Sequence, residues 1–246
     1  MLNRLFFVIL WATLFAGQVA RAEVTIFAAA SLKEPVDAIV AEFPGAVVSY
    51  GGSGTLARQI SIGAPADVVM LANSDWMTFL RDGGHVQPQS VFGFASNSLV
   101  LIGGPGQPPV QLDHASLAAA LQGGRLAVGL TRAVPAGIYA KEALIYLDLW
   151  DAVRDQLAEV DNVRAALALV ARGQAPLGIV YATDVRIAND LQVVAQFPPE
   201  AHAPIRYTAA LTNDASDQAV EFIAYFRSEA GQAILQEAGF LPPVAQ

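Results

Sequence analysis

The sequence predicts an α/β protein of two lobes, built from parallel sheets covered by helices on both faces. Three observations lead there. Short apolar strand-like runs alternate with helical segments along most of the 246 residues. Two Pro/Gly-rich loops, 103–109 and 198–200, bracket a central block long enough to form its own lobe. Several helix starts also carry a small polar or backbone-exposing residue directly after a strand, where open α/β sheets place their ligands.

The elements follow in order. Val24 to Ala28 is an apolar strand, and Ser31 with Glu34 three residues on has the capping-box spacing for a helix over about 32–43. That helix carries Val36, Ile39, Val40 and Phe43 on one face, and Pro44-Gly45 stops it. Val47 to Tyr50 is a strand, Gly51 to Gly54 a turn, and Thr55 to Ile62 a short helix. Ala66 to Leu71 is a strand, with a helix from Ser74 to Asp82 after it. Strands are expected at 98–102, 126–129, 177–181, 193–197 and 205–211. Pro135 suits the first position of a helix running to Leu147. Val163 to Arg172 is a helix closed by Gly173, and Gln218 to Ala238 is largely helical.

Helix N-termini present unpaired N–H groups and a partial positive charge, so several of them aimed into one cleft would hold a small oxyanion without a charged side chain. Segments of this kind are 29–32 with Ser31, 51–55 with Ser53, 134–137 with Ala136, 161–164 with Val163, and 178–181 with Tyr181 at a strand end. Each also has a plain structural reading: Ser31 as an ordinary N-cap, Gly51 to Thr55 as a flexible turn, Ala136 and Val163 as packing residues, Tyr181 as a core tyrosine. The Gly51 to Thr55 segment is not a nucleotide phosphate loop, because no Gly-Lys-Ser/Thr follows, and Thr55 stands where a G-x-S-x-G nucleophile elbow needs glycine.

Composition narrows the function classes. With 14 basic and 22 acidic residues the net charge is −8, which disfavours nucleic acid and anionic membranes as partners. Arg4, the charge-free run Leu5 to Gly17 and Ala20-Arg21-Ala22 read as a cleavable signal peptide over 1–22, so the protein is expected to be exported. Removing Arg4 and Arg21 leaves 12 basic against 22 acidic residues, near −10. The chain has no Cys, which excludes disulfides, thiolate metal sites, Cys nucleophiles and a lipoprotein anchor. His85, His114 and His202 are scattered without metal-ligand spacing. Trp76 reads as packing and Lys141-Glu142 as solvated, while Asp67 is placed to orient a loop.

The strings FAAASL (27–32), GTLARQI (54–60), GAPADV (63–68), NSLVLI (97–102), GGRLAVG (123–129), VPAGIYAKEAL (134–144), DNVRAALALV (161–170) and APLGIVYATD (175–184) come in an order and spacing that resembles the periplasmic molybdate-binding proteins of bacterial ABC transporters. The resemblance covers nearly all of the mature chain. It implies a type II two-lobed solute-binding fold, with lobe 1 from 23–96 and 204–246 and lobe 2 from 97–203. It implies that Ser31, Ser53, the amides of Ala136 and Val163, and Tyr181 contact the oxygens of molybdate, or of tungstate, without ligating the metal directly. It further implies a periplasmic monomer with no cofactor, no enzymatic activity, and a membrane permease and ATPase as partners. Two departures from the family pattern stand close to these residues: a glycine-rich YGGSGT turn, and Leu130-Thr131-Arg132-Ala133 before VPAG, where the family tends to show Asp-Pro.

Molybdate and tungstate are unprotonated near neutral pH and only accept hydrogen bonds, so a site made of donors suits them, while hydrogen phosphate would lack an acceptor for its proton. Sulfate, being smaller, would leave some donors unpaired at about 1–3 kcal/mol each. A receptor for sulfate or another oxyanion is the alternative within the class. An exported serine hydrolase using Ser31 or Ser53 is the alternative outside it, and no general base stands at motif spacing from either serine.

Overall fold

A computed structural model describes residues 24–244; the signal segment expected over 1–22 lies outside the described residues. Strand β1 (Val24–Ala29) passes through a 3₁₀ turn (Ala30–Leu32) into α1 (Lys33–Val40). Strand β2 (Ala46–Gly51) leads into α2 (Ser53–Ser61), and β3 (Val68–Leu71) into α3 (Ser74–Asp82). Then come β4 (Phe92–Ser96), β5 (Leu99–Gly103), α4 (His114–Leu121), β6 (Leu126–Gly129), α5 (Pro135–Tyr146), α6 (Trp150–Val153), β7 (Leu157–Val160) and α7 (Val163–Ala171). The chain ends with β8 (Leu177–Tyr181), α8 (Ala182–Val185), β9 (Gln192–Gln196), β10 (Arg206–Leu211), α9 (Asp217–Arg227) and α10 (Glu229–Glu237).

The strands form two five-stranded sheets, ordered β2-β1-β3-β10-β4 and β7-β6-β8-β5-β9, one in each lobe. The chain crosses between lobes from β4 to β5 and again from β9 to β10. The sheets are mixed rather than wholly parallel as expected. Strands β1, β2 and β3 run parallel, as do β6, β7 and β8, but β10 runs against β3 and β4, and β5 against β8 and β9. The reason is topological. The parallel strands point their carboxyl ends at the cleft, and a strand arriving from the other lobe enters at the cleft and runs away from it.

Both faces of the first sheet are covered, so β1 is apolar at consecutive positions. Ile26 and Ala28 pack with Val36 and Ile39 of α1 and Phe222 and Phe226 of α9, while Phe27 packs on the other face with Leu56, Ile60, Met77 and Leu80 of α2 and α3. Burying side chains of this size stabilises each lobe by about 1.5–3 kcal/mol apiece.

Other differences from the sequence reading have local causes. Ser31 does not cap α1: it lies inside the 3₁₀ turn, its hydroxyl bonds Tyr207, and Glu34 pairs with Arg164 instead of closing a capping box. Helix α2 starts two residues earlier than expected because Gly52 is its N-cap, which brings Ser53 into the first turn. The expected helix over 218–238 divides at Ser228, whose side chain accepts from the Gly231 amide and caps α10. Strand β4, helices α4, α6 and α8 and strand β7 were not foreseen; β7 is a half-exposed edge strand with no apolar run to mark it.

Candidate anion-binding site

The carboxyl ends of β1, β2 and β3 face those of β6, β7 and β8 across a small cavity. It is far smaller than a pocket for a drug-sized ligand and suits an ion or a molecule of a few atoms. Its wall takes Ala30 and Ser31 from the end of β1, Gly52 and Ser53 from the end of β2, and Ala72 from the end of β3. The other lobe contributes Pro135 and Ala136, Asn162 and Val163, and Tyr181. The five residues singled out in the sequence therefore line one cavity. None is more than 4% exposed, and no charged side chain is in the wall.

Each donor is held by a local device. Ser53 stands in the first turn of α2 and Ala136 in the first turn of α5, behind Pro135. Val163 opens α7, whose N-cap Asn162 accepts from the Ala165 amide and leaves the earlier amides of the turn without an intrahelical partner. Tyr181 ends β8 and its own amide donates to the Asp184 carboxylate at 3.0 Å. Its phenolic oxygen is buried and has no hydrogen-bond partner. Burial first, and then neighbouring Tyr207, Tyr139 and Asp184, hold that phenol well above its usual pKa, so it stays a donor.

The two serine hydroxyls have partners that are not bases. Ser31 Oγ is 2.9 Å from the Tyr207 hydroxyl, and Ser53 Oγ accepts from the Ala72 amide at 3.0 Å. A phenol and an amide do not activate a serine nucleophile. Among the described residues no group of His, Asp and Glu could hold a metal ion.

Several contacts bind the lobes around the cavity. Arg164 of α7 donates to both carboxylate oxygens of Glu34 in α1, at 2.9 and 2.5 Å, and to the Ser31 carbonyl at 3.3 Å. The same guanidinium lies 2.6 Å from buried Asp184. Trp76 Nε1 donates to the Ala133 carbonyl at 3.0 Å, and Asn73 Nδ2 to the Tyr139 hydroxyl at 3.2 Å. The glycine-rich turn lies in this interface. A Cβ on Gly52 would stand 2.3 Å from the Asp161 carbonyl oxygen, and one on Gly54 2.5 Å from the Ala133 oxygen. These glycines let the second lobe seat against the first.

A family model for bacterial extracellular solute-binding proteins matches residues 24–241, which is nearly all of the described chain. The chain belongs to this family. Among solute-binding proteins, the molybdate-binding protein ModA of Escherichia coli is 37% identical over 94% of this chain and 97% of its own length. ModA of Haemophilus influenzae is also 37% identical, over 90% of this chain and 91% of its own. The periplasmic molybdate-binding protein of Azotobacter vinelandii superposes with a TM-score of 0.78 over 90% of this chain and all of that one; at 23% identity this shows the shared fold.

This solute-binding protein also uses residues that the sequence did not single out. Tyr207, Asn97, Arg164 and Asp184, with Glu34 that was read only as a capping residue, are linked from five separate parts of the chain. No local spacing marks them. Trp76, read as packing, makes a polar contact across the cleft, and Glu142, read as solvated, accepts from the Ala203 amide. Asp67 does orient a loop: its carboxylate accepts from the amides of Thr25 and Ser216.

Proposed function

We propose that this protein captures molybdate, and tungstate with it, between its lobes and delivers the anion to the permease and ATPase of an ABC importer. The carrying observation is the hydroxyl of Tyr181, buried without a partner on a residue that lines a small uncharged cavity, together with serines and helix N-termini of both lobes. An unpaired buried donor is costly unless a ligand takes its hydrogen bond. The names of the relatives support the choice of molybdate. In this reading Ser31 and Ser53 donate from lobe 1 (23–96 and 204–246), and Ala136, Val163 and Tyr181 from lobe 2 (97–203). Closure over the anion gives the form that the membrane partners recognise. The protein works as a periplasmic monomer after loss of residues 1–22, and it performs no chemistry on its cargo.

Isothermal titration of residues 23–246 with molybdate, tungstate, sulfate and phosphate tests this. Tight one-to-one binding of the first two, with little response to sulfate, is expected. Tight sulfate binding would keep the fold and overturn the cargo. Unchanged molybdate binding in Ser53→Ala and Tyr181→Phe would overturn the site.

A further inference from the structure

We infer that Tyr207 and Asn97 are positioning residues that commit the Ser31 hydroxyl to donate into the cavity, so that the site selects tetrahedral oxyanions carrying no proton. The inference rests on the molybdate reading and adds the residues that impose its selectivity.

The direction of this relay is set by a group that cannot reverse. The Ser98 amide donates to Asn97 Oδ1 at 2.9 Å, which fixes the orientation of the Asn97 side chain. Asn97 Nδ2 must then face the other way, and it donates to Thr183 Oγ1 at 2.8 Å and to the Tyr207 hydroxyl at 3.4 Å. An amide NH₂ accepts nothing, so the Tyr207 oxygen receives from Asn97, and Ser31 Oγ, 2.9 Å away, is the acceptor we assign to the Tyr207 hydrogen. Tyr207 is fully buried, and burial together with nearby Asp184 keeps its phenol protonated. In this arrangement Ser31 receives one hydrogen bond from behind and keeps its own hydrogen for the cavity it lines.

Ser53 is engaged from behind in the same way. Its oxygen receives the Ala72 amide, a backbone donor that likewise cannot reverse. The helix-start amides of Ala136 and Val163 are donors by nature. Tyr181 is the one hydroxyl in the wall whose oxygen receives no donor. A fully ionised anion satisfies all of these hydrogens. A protonated anion sets its own O–H against a committed donor and leaves a serine hydrogen without an acceptor in a dry site.

Two substitutions release the relay in different ways. Tyr207→Phe frees the Ser31 hydroxyl to rotate and accept. Asn97→Asp keeps an acceptor for the Ser98 amide but places a second acceptor before Tyr207. The Tyr207 hydrogen then turns away from Ser31, Ser31 donates to Tyr207, and a serine lone pair faces the cavity. Molybdate and phosphate affinities are measured by titration at neutral pH for wild type and both variants, with thermal unfolding as a folding check. Wild type should bind molybdate with phosphate far weaker. The molybdate-to-phosphate affinity ratio should fall about tenfold in Tyr207→Phe, the scale of one misdirected hydrogen bond, and at least as far in Asn97→Asp. The added charge of Asp at 97 weakens both dianions, so the ratio isolates the relay. If both variants lose the two anions by the same factor, or keep the wild-type ratio, the residues are merely structural and the inference is overturned. A wild type that binds no molybdate would overturn the functional reading itself, a result that the variants alone cannot produce.

Discussion

Arg164 grips Glu34 of the opposite lobe with both terminal nitrogens, Nη1 on Oε1 at 2.9 Å and Nη2 on Oε2 at 2.5 Å. Arg164 directly follows Val163, and its Nε lies 2.6 Å from Asp184, which in turn accepts from the Tyr181 amide. The contact that joins the lobes is thus one side chain away from two proposed donors. Glu34 is 41% exposed, so solvent screens the pair. Glu34→Gln is expected to weaken molybdate binding by about threefold to tenfold, the effect of one partly screened bidentate pair. Titration of the variant beside wild type checks it.

Removing the cation instead should act on stability. Arg164→Met leaves Asp184, which is 0% exposed, without its counter-charge. A loss of about 3–5 kcal/mol in unfolding free energy is expected even without ligand. Urea unfolding measures it, and a loss no larger than that of Glu34→Gln would show that the pair with Asp184 carries little.

Gly52 has φ −68° and ψ 134°, an ordinary extended conformation that alanine adopts freely. Its added Cβ would nevertheless meet the Asp161 carbonyl of the other lobe at 2.3 Å. Gly52→Ala should therefore fold with near wild-type stability and fail to close. Expected are a loss of molybdate affinity of about a hundredfold or more and an unchanged radius of gyration in solution scattering when ligand is added.

Tyr181→Phe removes a buried hydroxyl that has no partner in the protein. The free protein should keep its melting temperature or gain slightly, while molybdate affinity falls about tenfold to a hundredfold, because the hydrogen bond at stake is to a charged ligand. Differential scanning fluorimetry with and without molybdate separates the two effects.

Burial pushes the Asp184 carboxyl up to about 6 from its ordinary 3.8, with Arg164 opposing the rise. Between these values the folded chain binds more protons at this position than the unfolded chain does. The stability contributed by Asp184 is therefore full below 3.8 and is lost as pH rises through about 6. Wild type should lose stability relative to Asp184→Asn over that window, and parallel curves for the two in pH-resolved unfolding would contradict it.

Much of this was legible from the chain because the signals are local. A strand followed by a small residue and a helix start places Ser31, Ser53 and Tyr181 at strand ends, and the structure brings them to one cavity. The helix starts around Ala136 and Val163 were visible as well, but a backbone amide is something every residue has, so only the resemblance of whole strings to a family pointed to these two as contacts. The capping reading of Ser31 failed because its hydroxyl found Tyr207, 176 positions away, a partner that no window around residue 31 contains.

By itself the sequence determined the periodicity of the elements, the β–α order, the absence of cysteine chemistry, and the helix starts that hold backbone donors, because all of these depend on neighbours in the chain. The tertiary structure decided the reversal of β5 and β10, the Arg164–Glu34 and Arg164–Asp184 pairs, the seating of Gly52 against Asp161, and the meeting of Ser31 with Tyr207. Each of these depends on what meets in space when two lobes fold from interleaved segments, and hydrogen-bond direction and close packing are set by the partner rather than by the residue alone.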